Sequence, residues 1–84
     1  MSETITLNDG TVINGHVIES SGVLFVYMYD ISFAEAFELL IEPEKTKKIK
    51  TDQNGDEQTI TGYKHLISLR EEDSGMITAS LKKV

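Results

Sequence analysis

A chain of 84 residues with 39% hydrophobic and 26% charged side chains has room for a single domain, 1–84, with one modest core, and is too apolar to stay disordered. With no cysteine it has neither a disulfide framework nor a thiolate metal site, and its formal charge of −6 repels nucleic acid and anionic lipid while favouring cationic surfaces. The charge is unevenly spread: residues 1–44 hold eight carboxylates and no lysine or arginine, a formal −8, whereas residues 45–84 hold eight basic side chains against six acidic ones, a formal +2.

The start, Met1-Ser2-Glu3-Thr4, lacks the basic and apolar regions of a signal peptide, and the longest apolar run, Val23 to Tyr29, is far shorter than the ~20 residues of a membrane span. No membrane partner and a cytoplasmic location are therefore expected. Ile5-Thr6-Leu7 and Thr11-Val12-Ile13 flank Asn8-Asp9-Gly10, a strong hairpin signal. A three-residue loop with Gly10 left-handed pairs Ile5 with Ile13 and gathers Ile5, Leu7, Ile13 and Val17 on one face, so this register is preferred over a two-residue loop. Ser20-Ser21-Gly22 reads as the next turn. A second three-residue loop there would set Val17 opposite Phe25 and Gly15 opposite Tyr27. Strand Val23–Tyr29, apolar or aromatic throughout, is expected to be central and covered on both faces.

Residues 32–41 predict the helix. Ser32 and Glu35 form a capping box with Ile31 as staple, and Phe33, Ala36, Phe37, Leu40 and Ile41 form a stripe expected to pack on strand Val23–Tyr29. Pro43 ends it. Thr46–Thr51 and Glu57–Thr61, polar but for Ile49 and Ile60, flank Asn54-Gly55 and should lie at a sheet edge. Tyr63–Arg70 and Met76–Leu81 form the last hairpin, with Ile67, Leu69, Ile77, Ala79 and Leu81 facing inward. The fold class predicted is α+β, with about seven antiparallel strands and one short helix in the order βββ-α-ββββ.

Chemistry-bearing patterns are sparse. His16 and His65 could meet as metal ligands only if the fold joined two strands, and local hydrogen bonding is the better reading. Asp52 to Glu57 is rich in oxygen ligands, but glycine stands fourth rather than sixth and position twelve is Tyr63, so it is no EF-hand loop. There is no nucleophile elbow and no glycine-rich phosphate cradle, so no enzyme, catalytic residue, metal or cofactor is expected. Lys45-Thr46-Lys47-Lys48-Ile49-Lys50 is basic, yet net charge and the lack of interleaved aromatics argue against nucleic acid. The spacing of Leu7, Asp9-Gly10 and Gly15 ahead of an apolar strand resembles Sm-like RNA-binding barrels. Those place their helix before the strands, and the resemblance supplies only an alternative function.

Ile5 to Ile13, the block Asp30 to Leu40, Gly62-Tyr63 before an apolar strand, and the Leu81-Lys82-Lys83 ending together resemble small phage and prophage tail-region proteins of Gram-positive gut bacteria. The resemblance implies a non-enzymatic tail or baseplate accessory, cytoplasmic or virion-associated, that acts through a protein partner or as a homo-oligomer. The interface expected from charge pairs the acidic helix side, Glu35, Glu38 and Glu42, with the lysine segment, Lys45, Lys47, Lys48 and Lys50, of the next copy.

Overall fold

The chain runs β1 (Thr4–Thr6), β2 (Val12–Ser20), β3 (Val23–Tyr29), α1 (Phe33–Ile41), α2 (Pro43–Thr46), β4 (Lys48–Gln53), β5 (Asp56–Thr61), β6 (Tyr63–Glu71) and β7 (Ile77–Lys83) in a computed structural model that describes residues 3–83. The strands pair antiparallel in one sheet of order β5-β4-β1-β2-β3-β7-β6. This is the predicted α+β class and element order. Pro43 ends α1 and then opens the one-turn α2, because proline suits the first helical position.

A flat sheet of seven strands would hold its edges about 28 Å apart. Here the edge strands β5 and β6 are joined by Gly62 alone, which can span no more than ~7 Å between Thr61 and Tyr63. The sheet must curl until its edges approach at that corner. Gly62 turns the corner at φ +95°, a conformation costly for any residue with a Cβ, and its N–H donates to the Lys47 carbonyl at 3.4 Å. The curl needs room at β2 as well: a Cβ on Gly15 would lie 2.0 Å from the Tyr27 carbonyl oxygen. Glycine is there because backbone approaches backbone, and the residue it pairs with is Met28 rather than the expected Tyr27.

Hairpin registers decide which side chains enter the curl. At the first, Ile5 pairs with Ile13, Leu7 N–H donates to Thr11 at 2.8 Å, and Gly10 sits at φ +92°, as the three-residue loop requires. The second departs from expectation. Ser21 at φ 50° and Gly22 at φ 80° form a two-residue turn of the kind whose twist matches its strands, so Ser20 pairs with Val23 and Val17 with Val26. That one-residue slip brings Leu24, Val26 and Met28 inward with Ile13 and Val17, and turns Phe25, Tyr27 and Tyr29 outward. Strand β3 is central but buried on one face only.

The enclosed core also holds Ile5, Leu7, Ile49, Ile60, Tyr63, Ile77, Ala79 and Leu81. Ile49 and Ile60 pair directly, so the polar hairpin at the sheet edge is anchored as expected, with Asn54 and Gly55 at its left-handed tip. On β6 the register shifts between Leu66 and Ser68, which leaves Ile67 as the extra, exposed residue while Leu66 and Leu69 pack inward. The Gln53 side chain reaches across from β4 to accept the Val17 N–H of β2 at 2.6 Å.

Helix α1 begins where Ser32 accepts the Glu35 N–H at 3.1 Å. It packs against β6 and α2, not over β3, and buries Ala36 and Leu40. Phe33, Phe37 and Ile41, expected in the core, stand between 43% and 45% exposed. The small Ala36 lets the helix approach closely and rotates the larger side chains outward. Replacing Leu40 with Ala should therefore cost about 2–5 kcal/mol, whereas Phe37→Ala should cost about 1 kcal/mol or less, as read from urea denaturation midpoints. Equal losses would place the helix in the other rotation.

Candidate interaction surfaces

The curl leaves a convex outer face. Alternation along β2 and β3 points Val12, Asn14, His16 and Ile18, and Phe25, Tyr27 and Tyr29, away from the core. Cross-strand pairing sets Ile18 opposite Phe25, His16 opposite Tyr27 and Asn14 opposite Tyr29. The His16 ring stacks on Tyr27 at 4.9 Å between centroids. Its Nδ1 lies 3.2 Å from the Tyr29 hydroxyl and 3.4 Å from a Glu3 carboxylate oxygen, which fixes the ring within the row. Phe25 and Tyr29 are 38% exposed and Ile18 50%. Beside the row an open groove of about 470 Å³ is floored by Phe25, Tyr27, Thr78 and Ser80 and walled by Arg70 and Met76.

The second surface is the outer stripe of α1. Phe33, Phe37 and Ile41 recur at intervals of four and so lie one above another, with Glu35, Glu38 and Glu42 exposed around them. Scattered exposed apolar residues are ordinary, but contiguous strips mark contact sites.

The charged residues singled out by sequence are only partly drawn together. Glu35 is engaged at the helix cap, where the Ser32 hydroxyl lies 3.3 Å from its carboxylate. Glu42 reaches Lys45, and Glu44 reaches Lys47, both at 3.7 Å along the turn of α2. Exposed pairs of this kind contribute little stability. Lys48 and Lys50 point outward from β4, Glu38 projects from α1, and none of the three joins an ion pair among the described residues. His16 and His65 stand on strands separated by β3 and β7, and the described residues contain no group of three or more histidine, aspartate or glutamate side chains placed to hold a metal ion. Residues 52–57 are the end of β4, a two-residue turn and the start of β5.

One polar contact escapes sequence reasoning entirely. Tyr63, at the start of β6, is buried and donates its hydroxyl proton to Glu19 of β2 at 2.5 Å. Nothing in the local patterns of residues 19 or 63 signals it, since only the curl brings β6 to β2. That hydrogen bond, with burial and the Glu19 charge adding to it, pushes the Tyr63 phenol up to about 12. At the first hairpin the Asp9 carboxyl is held below its ordinary value by the Thr11 N–H, which it accepts at 3.0 Å.

The chain matches no protein-family model, no curated protein and no solved structure with which it was compared. Among the described residues no helix is long and apolar enough to cross a membrane.

The Tyr63 contact predicts a pH dependence. Unfolded tyrosine ionises near pH ~10, whereas folded Tyr63 holds its proton to about 12. The unfolded chain therefore binds fewer protons in that window, and the contribution of this group to stability, complete below pH ~10, falls as pH rises through the folded value. Denaturation midpoints measured across this range should drop more steeply for the wild type than for Tyr63→Phe. Parallel profiles would show that the contact is not formed.

Proposed function

We propose that this chain is a non-enzymatic protein–protein interaction module that serves as an accessory or structural component of a phage tail or baseplate. The observation that carries the reading is the grouping of large exposed apolar side chains into two strips, Ile18/Phe25/Tyr29 on the sheet, with the half-buried Tyr27 between them, and Phe33/Phe37/Ile41 on the helix. A domain of this size gains by burying such residues, and their arrangement in rows favours a macromolecular surface over a small-molecule cleft. The strong acidity of residues 1–44 supports a protein partner with basic contact residues. The tail context is supported by the sequence resemblance.

A second reading, an Sm-like small barrel that binds nucleic acid, is favoured by the outward rings of Phe25, Tyr27 and Tyr29, since a sheet face bearing exposed rings can stack bases. The net charge of −6 and a helix that follows the third strand weigh against it. An affinity-tagged chain, expressed in a lysogenic Gram-positive host during prophage induction, should co-sediment with tail particles. Phe25→Thr and Phe37→Ser should reduce that fraction severalfold. Absence from tails, together with retention on heparin at low salt, would replace this reading with the nucleic-acid one.

A further inference from the structure

The one-residue link at Gly62 gathers lysines from three separate segments. The Gly62 N–H donates to the Lys47 carbonyl, Lys48 pairs with Thr61 before the link, and Lys64 follows Tyr63 after it. Lys83 and Lys82 of β7 pair with Tyr63 and His65. Cross-strand partners lie within ~5.5 Å and the link spans ~7 Å, so the Cα atoms of Lys48 and Lys83 are no more than ~18 Å apart. All five lysines are exposed. Pairing and hydrogen bonds bring two carboxylates to this corner, and both are engaged: Glu44 reaches Lys47 at 3.7 Å, and Glu19 accepts the Tyr63 hydroxyl. Lys83 lies over the Tyr63 ring, its Nζ 5.2 Å from the centroid. Lys48, Lys64, Lys82 and Lys83 join no ion pair among the described residues. Asp52, Asp56 and Glu57, like Glu71, Glu72 and Asp73, stand at the far ends of their hairpins. Beside the corner an open cavity of about 390 Å³ is lined by Lys47, Thr61, Gly62 and Lys64, with Pro43 and Glu44 on its other wall.

We infer that this corner docks an acidic segment of a protein partner, whose carboxylates meet Lys48, Lys64 and Lys82 and enter the cavity beside Lys64. This rests on the reading of the chain as an interaction module and adds a contact opposite in sign to the acidic first half. A short run of carboxylates confines its charge to a patch of this width. A nucleic acid continues past the patch, toward the acidic hairpin ends and into the field of a chain of net charge −6. The ring at the corner, Tyr63, is buried beneath Lys83 and offers no free face to a base. The corner therefore suits a protein ligand better than a strand of phosphates.

Fluorescence anisotropy of a labelled, end-blocked oligoglutamate peptide tests this on the purified chain. The peptide should bind, and its affinity should fall on adding salt. Lys64→Glu and Lys82→Glu should each weaken binding severalfold, and together more. Arg70→Glu changes the net charge equally but stands on β6 about 20 Å along the strand from Lys64, and should leave binding nearly unchanged. If either lysine reversal loses cooperative unfolding, Lys64→Gln and Lys82→Gln serve in its place and should show the same pattern with a smaller loss. A wild type that leaves the peptide free at millimolar concentration overturns the inference, and leaves the interaction-module reading to the apolar strips and their co-sedimentation test. An equal loss in Arg70→Glu overturns it in favour of unspecific attraction by total charge. Tighter binding of a labelled oligothymidylate of matching charge, weakened by the same two lysine substitutions, overturns it in favour of nucleic acid.

Discussion

A single residue, Gly62, joins the two edge strands of a seven-stranded sheet, and the rest of the molecule follows from that constraint. It obliges the sheet to curl until its edges approach at that corner, so that one face becomes an interior and the other a convex exterior. The interior is filled from every strand, from Ile5 on β1 to Leu81 on β7, which is how a chain this short assembles a core without a second sheet. The curl also sets local requirements. Gly15 has no space for a Cβ against the Tyr27 carbonyl, and the Val17 N–H is met by Gln53. Across the curl, Tyr63 of the edge strand β6 reaches Glu19 of β2.

Much of this was legible in the residues. Asn8-Asp9-Gly10 and Asn54-Gly55 state their hairpins through left-handed backbone needs, Ser32 and Glu35 state the helix start, and the isolated Ile49 and Ile60 state how a polar hairpin is anchored. What escaped were choices of one residue or of rotation. Ser20-Ser21-Gly22 accommodates a two- or a three-residue loop with similar local chemistry, yet the choice inverts β3. Ile67 and Leu66 are equally apolar, and only the shift in pairing with β7 decides which is left outside. On α1 the largest side chains were expected inward, but a tightly curled sheet with little space admits Ala36 and Leu40.

Those same errors hid the surfaces that matter most for function. A register that buries Phe25 and Tyr27 removes the outer aromatic row from view, and a helix that buries Phe33 and Phe37 removes the second strip. The charged residues Glu35 to Lys50 were visible, because charge is legible without knowing the fold. Their pairing was not: α2 folds the glutamates and lysines of the connection onto one another, while Glu38, Lys48 and Lys50 join no ion pair among the described residues. Charge thus supplies direction to a contact whose area is apolar, a division that suits recognition between proteins.

The curl of the sheet is tested most directly by a double-mutant cycle between Tyr63→Phe and Glu19→Ala, read from equilibrium denaturation at neutral pH. Their strands are three positions apart in the sheet, about 14 Å if it were flat, so these side chains can be coupled only if the sheet curls. The curl predicts that the two losses are not additive, and that the double variant is little less stable than the more damaged single one. Strict additivity would show that β6 does not meet β2, and would contradict the curl on which the interior and exterior faces depend.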